Sequence, residues 1–126
     1  MGGRGGSGGM GKVFGGQTAT ITEKQINKLI SMGATRWTNY GKDRLYLRGA
    51  GDKIMGLDVG TYRTGNISGA TWNGEKISNR TAYQIREVYA DAYLDLNTGG
   101  VYGLSNTRYR DDFIEAINKY RNKRRK

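Results

Sequence analysis

The stretch RWTNYGKDRLYLR, residues 36–48, decides the fold of this chain. Apolar and polar residues alternate on either side of a glycine-containing turn, and a period of two is typical of paired β-strands. We therefore predict a hairpin whose strands are Arg36–Tyr40 and Arg44–Arg48, joined around Gly41-Lys42-Asp43. The strands of such a hairpin are antiparallel, which predicts an antiparallel sheet at the centre of the fold.

The hairpin has an apolar side and a side rich in arginine and tyrosine. Leu45 and Leu47 are two residues apart, so they point to the same side of their strand, and we expect that side to face the core. The opposite, solvent-facing side is then formed by Arg44, Tyr46 and Arg48, with Arg36 and Tyr40 joining from the neighbouring strand. Trp37 and Trp72 are expected to pack in the core or against a hairpin, because tryptophan buries a large apolar area.

Helices and further strands surround this hairpin. Thr22 and Gln25 have the spacing of a capping box and predict a first helix, and Ser78 is a suitable N-cap for a second. Asn73-Gly74 is a strong signal for a two-residue hairpin turn, and Ser105 or Thr107 can begin a last helix. The predicted order is α-β-β-β-β-α-β-β-α, an α+β fold with a mainly antiparallel sheet and helices packed on one face.

The chain has room for one domain, flanked by two polar ends. Residues 1–17 are mostly glycine and predict a flexible arm, residues 18–121 the domain, and residues 122–126 a basic tail. The 126 residues contain 21 Lys and Arg against 11 Asp and Glu, a formal net charge of +10. A domain this basic attracts polyanions, and residues 105–126 contribute half of the net positive charge.

The composition argues against an enzyme and against a cofactor. The chain contains no histidine and no cysteine, so the usual general base near neutral pH, thiolate ligands and disulfides are all excluded. The carboxylates that remain do not have the spacing of a metal site. We expect a non-enzymatic protein that needs neither a metal nor another cofactor and has no small-molecule substrate.

Arginine and tyrosine on one sheet face can pair with phosphates and stack on bases at the same time. An ordinary half-exposed sheet also contains such residues, through strand propensity and cross-strand pairing, and the net charge favours the binding interpretation. A basic C-terminus attracts phosphates without sequence preference. The predicted contact residues are Arg36, Tyr40, Lys42, Arg44, Tyr46, Arg48, Arg63, Lys119, Arg121, Lys123, Arg124 and Arg125.

Four segments together resemble a group of small, largely uncharacterised proteins of bacteriophages and prophages. These segments are RWT at 36–38, GKDRLY at 41–46, YRTGNI at 62–67 and NGEKISN at 73–79. They lie within residues 36–80, about a third of the chain, and the opening MGGRGGSGG is similar to the start of some phage and mobile-element proteins. The resemblance carries no catalytic motif and transfers no functional residue.

The resemblance implies a phage context, in which small non-catalytic proteins often inhibit a host machine, as anti-CRISPR proteins do. The chain is basic, so it does not mimic DNA and would instead contact guide RNA, target DNA or an acidic protein patch. The expected function is inhibition of a bacterial nucleoprotein defence complex, such as a CRISPR-Cas effector, in the host cytoplasm and without membrane contact. The alternatives are a free-standing nucleic-acid-binding accessory or regulatory protein, and a minor structural component of a phage particle.

Overall fold

The computed structural model describes residues 21–122. Three helices and seven strands follow one another in the predicted α+β order, so the predicted fold class is confirmed. A short fifth strand follows Asn73-Gly74, where the alternation continues through Lys76 and Ile77. In chain order the elements are α1 (Glu23–Ser31), β1 (Thr35–Asn39), β2 (Lys42–Tyr46), β3 (Leu57–Thr61), β4 (Ile67–Trp72), β5 (Glu75–Ile77), α2 (Asn79–Val88), β6 (Tyr93–Asp95), β7 (Val101–Tyr102) and α3 (Thr107–Arg121).

The strands form two antiparallel sheets, whereas the sequence predicts one. The first sheet has four strands in the order β1-β2-β6-β7, and the second has three in the order β3-β4-β5. In the first sheet β6 pairs with β2, although about fifty residues separate them in the chain. This non-local pairing extends the 36–48 hairpin into a wider surface.

Each helix begins where a side chain caps its free backbone amides. Thr22 Oγ1 accepts a hydrogen bond from the Gln25 amide at 3.1 Å, and Gln25 Oε1 accepts one from the Thr22 amide at 3.0 Å, which confirms the predicted capping box. Ser78 Oγ accepts from the Thr81 amide at 3.0 Å, as predicted. The last helix is capped by Asn106, and its first residue is Thr107.

The main core lies between the helices and the inner side of the first sheet. Leu29 of α1, Phe113 of α3 and Leu45 of β2 are fully buried there, and Trp72 stacks on the buried Tyr89 with ring centroids 5.3 Å apart. A smaller cluster of Ile67, Ala70 and Ala82 joins α2 to β4. The helices therefore cover the inner side of the first sheet and do not cover its other side.

Among residues 21–122, no helix combines the length and the apolar character that a lipid bilayer crossing requires.

Candidate functional site

The β1–β2 turn is tighter than the sequence predicts, and this decides which side chains share a surface. Asn39 pairs directly with Lys42, so the turn consists of Tyr40 and Gly41 alone. Both turn residues have positive φ, 48° and 81° respectively, as a type I′ hairpin turn requires. The predicted turn around Gly41-Lys42-Asp43 is therefore wrong in position.

This difference moves Arg36 to the other face of the sheet. A turn centred on residue 42 would pair residue 40 with Arg44, and it would put Arg36 and Tyr40 on the same side as Arg44. The observed register pairs Arg36 with Leu45 and Trp37 with Arg44 instead. Because side chains alternate along a strand, an odd shift in register moves every side chain of the partner strand to the opposite face of the sheet. The prediction that Arg36 joins the solvent-facing arginines is wrong, and Tyr40 lies in the turn itself.

Arg36 is bound by the chain's own acids. Its Nε and Nη2 atoms donate to the two oxygens of Asp43 at 2.9 and 2.7 Å, and its Nη1 atom donates to Glu23 Oε1 at 2.8 Å. The hydrogen bonds from Arg36 hold the pKa of Asp43 below its usual value, and those to Asp43 and Glu23 raise the pKa of Arg36. Arg36 thus ties the start of α1 to the hairpin and has an architectural role.

The side of the first sheet that faces away from the core is an aromatic surface. The register places Tyr46, Tyr93 and Tyr102 opposite one another on three adjacent strands. Their ring centroids are 5.4 Å apart between Tyr46 and Tyr93 and 5.5 Å apart between Tyr93 and Tyr102. Together with Trp37 and Arg44 these three tyrosines form what we call the aromatic face.

Arg44 lies at the centre of the aromatic face. Its guanidinium carbon is 4.3 Å from the Tyr93 ring centroid and 5.0 Å from that of Trp37, and its Nη1 atom donates to the Tyr46 hydroxyl at 3.3 Å. The hydrogen bond to Tyr46, and then the nearby Tyr93 and Asp95, raise the pKa of Arg44. Asp95 is the cross-strand neighbour of Arg44 on β6, but its Oδ1 atom accepts hydrogen bonds from the Asn97 and Thr98 amides. Within residues 21–122 no carboxylate lies within ion-pair distance of Arg44, so its guanidinium is held by rings and can bind an external anion.

Two further cations extend the aromatic face along β2. Lys42 is exposed and lies two residues before Arg44, on the same side of the strand. Arg48 lies beyond the other end of β2 and forms an exposed ion pair with Asp52 at 3.0 Å. An exposed pair of this kind is worth little, so Asp52 does not prevent Arg48 from binding another anion. Arg48, Trp37 and Tyr46 line a groove of about 600 Å³.

The remaining predicted contact residues lie elsewhere. Arg63 is exposed in the β3–β4 turn of the second sheet. Lys119 Nζ donates to the Asn73 carbonyl oxygen and joins α3 to the β4–β5 turn, and Arg121 is half-buried at the end of α3. The structure therefore does not bring these cations together with Arg44. Lys123, Arg124 and Arg125, like the predicted arm at residues 1–17, lie outside the described residues.

Three residues of the aromatic face were missed by the sequence analysis. Trp37 was expected to pack in the core or against a hairpin; it lies on the outer side of the β1–β2 hairpin, 38% exposed beside Arg44, and was not predicted as a contact residue. Tyr93 and Tyr102 come from the β6–β7 hairpin, and their alternation with Leu94 and Val101 could have shown that they face away from the core. Nothing local in the sequence indicates that this hairpin pairs with β2.

A separate cleft of about 500 Å³ lies between α2 and the first turns of α3. Trp72, Ile85 and Tyr89 form its apolar part, and Arg108 and Asp112 are among its polar residues. Burial raises the pKa of Asp112 above its usual value, and the positive charge of Arg108 opposes that shift. Within residues 21–122 no group of three or more carboxylates is arranged to hold a metal ion.

The fold and the aromatic face define a small α+β domain with an aromatic, cationic sheet surface. Comparison with known protein families, with curated proteins and with solved structures finds no match to this chain.

Proposed function

We propose that this chain is a non-enzymatic binding protein that contacts nucleic acid through the aromatic face. The observation that carries the proposal is the position of the Arg44 guanidinium between the rings of Trp37 and Tyr93. A cation held this way can bind a phosphate while the adjoining rings stack on bases. The net charge of +10 supports the same class of partner, since it draws polyanions toward the domain.

The aromatic face is poorly explained by folding alone. The helices cover the opposite side of the first sheet, and Tyr102 remains 48% exposed at one end of the tyrosine row. Trp37 and Tyr102 are the exposed rings of the face, and they gain less from the fold than buried rings do, whereas such rings contribute large contact areas in an interface. The role in binding accounts for their position next to an arginine that has no carboxylate partner in residues 21–122.

The proposed biological role is inhibition of a bacterial nucleoprotein defence complex, in the manner of an anti-CRISPR protein. The resemblance to phage proteins supports the context, and the aromatic face supplies a surface for the guide RNA or target strand of such a complex. The second candidate, a free-standing nucleic-acid-binding accessory protein, is favoured by the same exposed face because that face needs no protein partner. A component of the phage particle would instead co-purify with virions.

The test is fluorescence anisotropy with labelled RNA and DNA oligonucleotides. Arg44→Ala should weaken binding of the full chain at least tenfold, because it removes both a phosphate contact and the link between the rings. Arg86→Ala is the matched control, since Arg86 also lies over a tyrosine, 5.8 Å from the Tyr83 ring centroid, but on α2. Equal loss in the two variants would show that only net charge matters and would contradict the proposal.

Salt dependence adds an independent measurement. If Lys42, Arg44 and Arg48 are the phosphate contacts, affinity for a single strand should fall about twentyfold between 50 and 200 mM salt. A much steeper fall would assign the binding to the C-terminal basic residues.

To separate the two biological roles, the chain is mixed with a purified effector complex and run on a sizing column. An inhibitor co-elutes stoichiometrically at 200 mM salt and loses this property with Arg44→Ala, whereas a free-standing binder does not co-elute.

A further inference from the structure

Tyr40 occupies a position that folding by itself disfavours. It is the first of the two turn residues between β1 and β2, with φ of 48°, and it is 97% exposed. Asparagine is the preferred residue at this position, because the left-handed conformation crowds an ordinary side chain against the backbone. A tyrosine that is both strained and fully exposed gains no burial in return, and residues of this kind often mark functional sites.

The turn that presents Tyr40 is firmly held. Asn97 Nδ2 donates to the Gly41 carbonyl oxygen at 2.8 Å, which fastens the β6–β7 turn to the β1–β2 turn. The Leu96 amide donates to the Asp43 carbonyl oxygen at 2.8 Å, and the Asp43 side chain is bound by Arg36. Because the backbone at the tip is already ordered, a ligand that contacts Tyr40 has little ordering cost to overcome there.

Side chains suited to a nucleic-acid strand repeat along the hairpin that leads to this tip. On the outer side of β2, Tyr46, Arg44 and Lys42 follow one another at intervals of two residues, which is about 7 Å. Tyr93 lies opposite Tyr46, and Trp37 lies opposite Arg44. Aromatic and cationic groups thus follow one another along β2 toward the β1–β2 turn, whose fully exposed residue is Tyr40.

We propose that the ligand of the aromatic face is an unpaired strand that runs along the β1–β2 hairpin, with one base stacked on Tyr40. This inference rests on the proposed function and adds two details to it: the ligand is an unpaired strand, and the strand reaches Tyr40. Bases in a duplex are stacked on one another and cannot lie on side-chain rings, whereas unpaired bases can. Stacking and phosphate contacts are common to RNA and DNA, so both sugars are included in the test.

The experiment compares the full chain and four variants in anisotropy titrations: Tyr40→Asn, Tyr40→Trp, Tyr62→Asn and Arg44→Ala. The probes are labelled oligouridylate and oligothymidylate of nine nucleotides and a nine-base-pair DNA duplex, all at 50 mM salt. The wild type should bind the single strands at least tenfold more tightly than the duplex. Tyr40→Asn should weaken single-strand binding by about 5- to 150-fold, the range expected for loss of one base stack, and Tyr40→Trp should restore it.

Tyr62→Asn is the matched control. Tyr62 is 60% exposed in the β3–β4 hairpin of the other sheet, so its loss removes an exposed tyrosine without touching the proposed path. This variant should bind as the wild type does. Binding of only one of the two single strands supports the inference and identifies the sugar that is recognised.

Two results would overturn the inference and leave the proposed function in place. The first is that the wild type binds the duplex as tightly as the single strands. The second is that Tyr40→Asn binds single strands as tightly as the wild type does, while Arg44→Ala binds them weakly. If the wild type binds none of the probes, the proposed function fails together with the inference.

Discussion

Arg36 and Asp43, on neighbouring strands, are joined by two parallel hydrogen bonds of 2.9 and 2.7 Å. The pair is half-buried, and Arg36 reaches Glu23 at the start of α1 with its remaining terminal nitrogen. A bidentate pair of this kind fixes geometry better than a single contact does. It separates Arg36, which stabilises the fold, from Arg44, which is proposed to contact a partner.

Arg36→Ala and Arg44→Ala should therefore have opposite effects on stability and binding. Loss of Arg36 leaves the Asp43 carboxylate half-buried without its partner, so we expect the free energy of unfolding to fall by about 1–3 kcal/mol. Arg44→Ala should cost little stability, because Arg44 makes only cation–π contacts and one hydrogen bond on the outer side of the sheet, and should weaken nucleic-acid binding. Denaturant unfolding and anisotropy measured on both variants check this, and a binding defect in Arg36→Ala at full stability would contradict the division.

The lowered pKa of Asp43 predicts that the folded state loses stability in acid. The folded state holds its pKa below the unfolded value, so its contribution is present above the unfolded pKa of about 4 and is lost as the pH falls through the folded pKa. We expect Asp43→Asn to be less stable than the wild type at pH 7, and this difference to close as the pH falls through the folded pKa of Asp43. Melting temperatures at several pH values measure this gap. A gap that does not change with pH would mean that the charge of Asp43 is unimportant.

The charge of Asp112 should have the opposite effect on stability from that of Asp43. Burial raises its pKa in the folded state, so ionisation of this carboxyl opposes folding once the pH rises above its unfolded value. Asp112→Asn keeps the shape of the side chain and removes the charge. The variant should melt at a higher temperature than the wild type at pH 7 and at the same temperature near pH 3. A lower melting temperature at pH 7 would mean that the attraction to Arg108 outweighs burial.

Tyr40→Asn should stabilise the protein while it weakens binding. Asparagine adopts the left-handed conformation more readily, and Asn-Gly is the preferred pair in a type I′ turn, so we expect a gain of about 1 kcal/mol. For a domain of this size such a gain raises the melting temperature by about 3–5 °C. Thermal unfolding followed by circular dichroism measures the shift. A fall in melting temperature would show that the Tyr40 ring supports the fold.

Local signals predicted most of the secondary structure, because they act over a few residues. The capping box at Thr22 and Gln25 is an example, since both bonds close within one helical turn. Asn73-Gly74 forms the predicted turn, with φ of 52° and 91°. In the second half of the hairpin, Leu45 and Leu47 are fully buried and Arg44 faces outward, as the alternation indicates.

The sequence by itself determined the element types, the antiparallel pairing within hairpins and the excess of positive charge, because each follows from neighbouring residues or from composition. The tertiary structure decided which arginine remains available, since an odd shift in the β1–β2 register turned Arg36 toward Asp43. It also brought Tyr93 and Tyr102 beside Tyr46. A pairing between strands about fifty residues apart depends on how the whole core packs, and no local pattern encodes it.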